Sequence, residues 1–220
     1  MIRALILDFD GLILDTESPM RASWMEIYAE AGLAVSDEVW AGILGASADP
    51  PEAYELLEQG LGRPVDRAAL HKRRLERELE LLANEDILPG VRKLVAEAKA
   101  RRLLLGVASS SERAWVHDHL EARGLFDPFD AISCAEDVPQ TKPAPDLFLH
   151  AQRSLGVAPH EAIAFEDSEH GVASAKAAGL FCVAVPNRVT RCLSFTEADV
   201  ILPNLEDASL DELIATAMRL

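Results

Sequence analysis

Basic residues are scarce in this 220-residue sequence: 21 Lys and Arg face 37 Asp and Glu, for a formal charge of −16. Such a surface repels polyanions, so neither nucleic acid nor an anionic membrane is an expected partner. It does not exclude an anionic small molecule, because a bound divalent cation and a few local donors can reverse the potential inside one cleft. Cysteine is also scarce. Cys134, Cys182 and Cys192 are too few and too scattered for a disulfide framework, and none forms a Cys-x-x-Cys pair, so a reducing cytoplasm is expected. Long apolar runs are missing: no stretch approaches the ~20 residues needed to span a bilayer. The segment from Met1 to Leu7 runs straight into acidic residues and is shorter than the apolar stretch of a signal peptide. Repeats and low-complexity tracts are lacking as well.

What is present is an ordinary globular composition, 49% hydrophobic and 26% charged. The length suits one sizeable core and a modest second unit, since domains commonly hold about 100 to 150 residues. Short apolar runs at Leu5 to Phe9, Leu103 to Ala108, Ala131 to Ser133, Ala162 to Phe165 and Phe181 to Val185 read as buried strands. Helical patterns lie between the later runs, for example Val91, Leu94, Val95 and Ala98, with Lys99, Arg101 and Arg102 where cations suit a helix C-terminus. Strand alternating with helix implies a parallel sheet covered on both faces. Asp199 to Pro203 suggests a short edge strand, followed by a helix carrying Leu210, Leu213, Ile214 and Ala217.

One segment breaks the rhythm. From Ser18 to about Glu85 the pattern is helical throughout, with apolar stripes at Met20, Trp24, Ile27, Tyr28 and Ala31 and at Leu75, Leu79 and Leu82. Pro50-Pro51 and the Gly60 to Pro64 stretch punctuate it. The expected organisation is an α/β core of residues 1–17 and 86–220, a Rossmann-like parallel sheet, interrupted by an all-helical cap of residues 18–85.

The ends of the strands carry the chemistry. The first ends in Asp8-Phe9-Asp10-Gly11, at the carboxyl edge where open parallel sheets bind ligands, although a polar loop would look the same in isolation. The second ends in Ser109-Ser110-Ser111, residues that commonly cap a helix and that also suit a phosphate at a helix N-terminus; Ser111 could cap while Ser109 binds. Lys142 sits between Thr141 and two prolines, Pro143 and Pro145, which restrict the backbone and would keep an otherwise ordinary surface ammonium aimed at one point. The run ending at Phe165 leads into Glu166-Asp167-Ser168, either an acidic first helical turn or a set of hard oxygen ligands of the kind Mg²⁺ takes. Four strand ends thus supply the inventory of a phosphoryl-transfer site: nucleophile, proton relay, metal ligands and donors.

In these motifs the sequence resembles the haloacid dehalogenase superfamily, in the branch of β-phosphoglucomutases and small-molecule phosphatases with a helical cap. Asp8-x-Asp10-Gly11 continuing through Asp15-Thr16-Glu17, then Ser109, Lys142 and Glu166-Asp167, match its four motifs in order over nearly the whole chain. The resemblance implies that Asp8 forms an aspartyl-phosphate, while Asp10 protonates the leaving oxygen and then deprotonates water. It implies that Gly11, Ser109, Ser110 and Lys142 bind the phosphoryl group or substrate. It also implies Mg²⁺ held by Asp8, the Asp10 carbonyl and Asp167, with Glu166 a ligand or an outer partner. The cap is expected to close over Asp8, hinged at Asp15-Thr16-Glu17.

Within the superfamily, Asp10 argues against a dehalogenase, which has no leaving oxygen to protonate. Lys72, the sole cap lysine, lies in the charged run His71-Lys72-Arg73-Arg74 and reads as solvated rather than as a Schiff-base residue. A mutase of the β-phosphoglucomutase type would carry a cap His and a cap Arg where this sequence has Met20 and, near the second position, Ala48. A non-catalytic metabolite- or phosphoprotein-binding module would show damage to at least one motif, and all four are intact. His117 and His119 point to different helix faces and read as surface residues, not as metal ligands. The expectation is a monomeric, Mg²⁺-dependent phosphatase acting on a small phosphorylated metabolite such as a sugar phosphate, phosphoglycolate or a nucleoside monophosphate.

Overall fold

The structure, a computed structural model, describes residues 1–36, 39, 40, 43, 50–207 and 209–219. From the N-terminus the elements are β1 (Ala4–Leu7), α1 (Glu17–Glu30), α2 (Pro51–Leu61), α3 (Arg67–Leu82), α4 (Val91–Ala100) and β2 (Leu104–Ala108). Then follow α5 (Arg113–Ala122), β3 (Ala131–Ser133), α6 (Asp146–Leu155), β4 (Ala162–Glu166), α7 (Glu169–Ala177), β5 (Phe181–Ala184), β6 (Val200–Ile201) and α8 (Leu210–Ala217). They divide into two compact units, one of Met1–Leu14 with Asp86–Leu220 and one of Asp15–Glu85. Among the described residues no helix is long and apolar enough to cross a membrane.

In the first unit six parallel strands run in the order β3-β2-β1-β4-β5-β6, the doubly wound Rossmann-like arrangement. All four residues of β1 and all five of β4 are buried, as continuous apolar runs require when both sheet faces are covered. One side of the core packs Ile6, Ala164 and Cys182 of the sheet against Leu147, Phe148 and Ala151 of α6 and Val172 of α7. Helix α4 buries Val91, Leu94, Val95 and Ala98, the stripe its spacing predicts. β1 pairs with β2 on one side and β4 on the other, so the strand order reverses there and a crevice opens at the carboxyl ends.

In the second unit the described elements are all helical. Asp66 caps α3 by accepting the Ala69 N–H, and Gly62, at φ 66°, ends α2 in the left-handed region. Trp24 is the hub: Tyr54 meets it edge-on at 4.9 Å between ring centroids, and Tyr28 and Trp40 lie at 5.8 and 6.4 Å. Pro51 opens α2 and Gly62 lies just past its end, within the stretch expected to punctuate the helices, and a Cβ on Gly60 would come within 2.4 Å of Leu33 Cδ1. One expectation needs correction. The buried face of α3 is Arg74, Glu78 and Leu82, not Leu75, Leu79 and Leu82, and Leu79 is 42% exposed. Arg74 places its guanidinium 5.8 Å from the centre of the Trp24 ring and bonds Glu78 one turn on, so the charges neutralise each other against an aromatic face. Met20 is buried in α1, while Ala48 and the loop from Leu44 to Asp49 lie outside the described residues.

Candidate active site

The strand-end residues converge at the carboxyl edge of β1 and β4. The Asp8 N–H still donates to Phe165 O at 2.9 Å, after which the chain turns out of the sheet. That turn needs a glycine twice over: Gly11 has φ 79°, and a Cβ on it would lie 2.2 Å from Asp167 Oδ2. Its N–H donates to Leu14 O at 2.8 Å.

Lys142 reaches the same point from the segment before α6. Its Nζ bonds Asp8 Oδ1, lies 2.6 Å from Glu166 Oε1 and sits 5.2 Å from the centre of the Phe148 ring. The stiff Pro143–Pro145 stretch is pinned to α7, where Ser174 Oγ donates to Ala144 O at 2.6 Å. The three charged side chains are 6%, 8% and 0% exposed, in the order Lys142, Asp8, Glu166. Burial pushes the Asp8 carboxyl well above the usual range; Lys142 opposes this, and the negative charges of Glu166 and Asp10 add to it. Burial would lower Lys142, but the carboxylates of Asp8 and Glu166 together outweigh it and hold the ammonium charged. One cation thus serves two buried anions.

A third anion lies beside them. Oxygens of Asp8, Glu166 and Asp167, all buried, fall within 4.8 Å of one another. Glu166 fits because Gly171, the third residue of α7, has no side chain in its path: a Cβ there would overlap the carboxylate at 1.9 Å. Glu166 Oε2 accepts the Asp167 N–H at 3.2 Å and the Ser168 hydroxyl at 3.3 Å, while Ser168 caps α7 by accepting the Gly171 N–H. Asn187, beyond β5, donates to Asp167 Oδ2 at 2.7 Å and to Gly11 O at 3.1 Å. Three hard, buried carboxylates with a single ammonium among them are a donor set that fits a divalent magnesium ion.

Asp10 lies on the opposite side of the turn, half-buried, and accepts three hydrogen bonds. Ser109 and Ser111 hydroxyls donate to its Oδ2 at 3.1 and 2.6 Å, and Trp115 Nε1 donates to its Oδ1 at 3.0 Å. The serines do not cap α5 as expected. Ser109 Oγ accepts the Ser111 N–H at 3.0 Å, and the first free N–H of the helix, on Arg113, goes to the Glu136 carboxylate at 3.0 Å. Ser110 is exposed at the tip of the loop. His117 packs against Phe126 and His119 against Trp115, on different sides of α5.

Asp8, Asp10, Gly11, Ser109, Lys142, Glu166 and Asp167 therefore share one site. Sequence reasoning misses Ser111, Trp115 and Asn187. Trp115 had one signal, its place on the first turn after the serine loop; Asn187 had none, because its contacts are made across 20 and 176 residues.

A family model described as haloacid dehalogenase-like hydrolase matches residues 5–185. The chain belongs to that family. This haloacid dehalogenase-like hydrolase is 42% identical over 210 residues to YhcW of Bacillus subtilis, covering 96% of this chain and 95% of that protein. It is 32% identical to hexitol phosphatase B of Escherichia coli strain K12 over 217 residues, 97% of each chain. Among solved structures, CbbY from Rhodobacter sphaeroides bearing the substitution D10N, in complex with xylulose-(1,5)bisphosphate, superposes with a TM-score of 0.77 at 30% identity. That match covers 97% of this chain and 99% of the other. The family and its phosphatase relatives make the chain an enzyme, a hydrolase of the phosphatase kind.

Proposed function

We propose that the enzyme is a Mg²⁺-dependent phosphatase that hydrolyses a small sugar or polyol phosphate through an aspartyl-phosphate on Asp8. The observation that carries this reading is Asp8 itself, a buried carboxylate bonded to Lys142 with Asp10 held two residues on by three donors. A carboxylate oxygen of Asp8 attacks phosphorus as the bond to the leaving oxygen breaks, and Asp10 gives that oxygen a proton. Water then attacks the phosphoryl group, Asp10 takes its proton, and Asp8 is released. Lys142 limits the repulsion between Asp8 and the incoming phosphate, and the Ser109 hydroxyl offers a donor to a phosphoryl oxygen.

Magnesium would be held by Asp8, Asp167 and the Asp10 carbonyl, where it supplies positive charge against the phosphoryl oxygens. Both oxygens of Glu166 are engaged, by Lys142 on one side and by the Asp167 N–H and the Ser168 hydroxyl on the other. Glu166 therefore serves as the outer partner that aims its neighbours. Hydrolysis is favoured over phosphate return to a sugar because Met20, buried and apolar, occupies the position where the mutase pattern has a His. The polyol and sugar-bisphosphate names among the relatives support the substrate class. Three free cysteines, two of them buried, support a reducing cytoplasm.

Phosphate release measured across a panel of sugar and polyol phosphates, with Mg²⁺ and with EDTA, tests the proposal. Release should require Mg²⁺ and should fall at least ~10⁴-fold in Asp8→Asn. Glucose 6-phosphate formed from β-glucose 1-phosphate without free phosphate would replace this reading with the mutase.

A further inference from the structure

The two oxygens of Asp10 face chemically different partners. Oδ2 meets the hydroxyls of Ser109 and Ser111, which can donate or accept as the need arises. Oδ1 meets the indole N–H of Trp115, which can only donate. A proton on Oδ1 would point at another proton, whereas a proton on Oδ2 finds two oxygens able to accept it.

The indole is also firmly mounted. Trp115 lies in the first turn of α5, and one turn on His119 packs edge-on against it, with ring centroids 4.4 Å apart. His119 in turn stacks near Phe9 at 6.5 Å, and its Nδ1 lies 3.0 Å from Arg123 Nη1. Phe9 is the residue between the two aspartates, so the support beneath the indole is built from the same turn that carries Asp8 and Asp10.

Resting on the phosphatase reading above, we propose that Trp115 is the positioning residue for Asp10: it holds Oδ1 as a permanent acceptor and makes Oδ2 the working oxygen. When a phosphoryl oxygen claims the Ser109 hydroxyl, Oδ2 keeps only the adaptable Ser111 hydroxyl while Oδ1 stays anchored, and the carboxyl pivots about the indole. The Oδ2–H bond breaks as the O–H bond of the leaving alcohol forms, in the step that joins Asp8 to phosphorus. The same Oδ2 then takes the proton of the attacking water as the bond from Asp8 to phosphorus breaks. Without such an anchor the two oxygens of Asp10 would be equivalent and would share the proton.

The test compares leaving groups. An alkyl phosphate leaves as an alkoxide that must be protonated, while p-nitrophenyl phosphate leaves as a stable phenolate that needs little help. General acid catalysis contributes ~10²–10⁴-fold, so partial misplacement of the acid in Trp115→Phe should lower kcat/KM for the alkyl substrate about tenfold. The loss with p-nitrophenyl phosphate should stay below about twofold, because it does not draw on the same proton. Replacing Trp115 with its benzothiophene analogue, which keeps the bicyclic shape and lacks the N–H, should give the same selective loss at unchanged melting temperature. Independently of turnover, the Trp115 indole ¹⁵N–¹H resonance, assigned by its absence from Trp115→Phe, should move in Asp10→Asn. Equal losses with both substrates in an active enzyme, or an indole resonance indifferent to Asp10→Asn, would overturn the inference alone. Wild-type enzyme that releases phosphate from neither substrate would overturn the phosphatase reading and this inference with it.

Discussion

Each unit of this protein buries ionic side chains, and the two do so on opposite terms. In Asp15–Glu85 the charges are matched one to one along a helix: Arg74 and Glu78, one turn apart on α3, pair beside the Trp24 ring. In the α/β unit one ammonium, Lys142, bonds Asp8 and pairs with Glu166, so among these three buried side chains negative charge is in excess, with Asp167 close by. Burying charge is costly unless it is paired, and a balanced pair can be replaced by apolar side chains at little cost. An unbalanced cluster persists because something other than stability selects it. Buried charge is thus matched within one helix in the first case and left unmatched at the end of the sheet in the second.

The largest expected effect comes from deepening the imbalance. Lys142→Met should lower phosphate release by about 10³-fold, the scale of removing one donor from a preorganised anionic site. Saturation kinetics with the best substrate of the panel would show it as a fall in kcat. The balanced pair gives a different signature. Arg74→Ala removes the cation paired with the buried Glu78 and should cost about 3 kcal/mol in urea unfolding followed by tryptophan fluorescence. The double change Arg74→Met with Glu78→Leu should return to within about 1 kcal/mol of the native protein. A double variant as unstable as the single one would erase the distinction drawn between the two regions.

A third pair extends the series to the surface. Arg113 and Asp137 meet at 2.5 Å with side chains 40% and 19% exposed. Burial works against the Asp137 charge, but the Cys134 N–H and the Arg113 guanidinium outweigh it and hold the carboxyl below the usual aspartate range. A folded-state pKa below the unfolded value contributes stability at neutral pH that is lost as pH falls through the folded pKa. Asp137→Asn should therefore be about 0.5 to 1 kcal/mol less stable than the native chain at pH 7, and the gap should close below about pH 4. Thermal melts at pH 7 and pH 3 suffice.

The same contrast explains what the sequence could reveal. Strands such as Ala4–Leu7 and Ala162–Glu166 were legible because a buried parallel strand is an unbroken apolar run, and the acidic residues at their ends followed by continuity of chain. The inward face of α3 was not legible. Periodicity assigns Leu75 and Leu79 to the interior, and nothing local says that Trp24, some fifty residues earlier, offers a ring to Arg74. The position of Ser111 suits a cap because hydroxyls before helices usually serve as one, whereas the Glu136 carboxylate, in a 3-10 turn after β3, takes that duty. Local propensity yields to partners that only the fold brings near.

Asn187 gives the site a mechanical property. One amide NH₂ ties the turn after β1, at Gly11, to the residue that follows β4, at Asp167, and its carbonyl oxygen accepts the Val189 and Thr190 N–H groups beyond β5. Three loops from three strands are thereby pinned to one side chain, with Gly11 leaving no slack between them. They can be grafted, exchanged or redesigned only as a set: a foreign loop at any one of these positions inherits the spacing demanded by the other two.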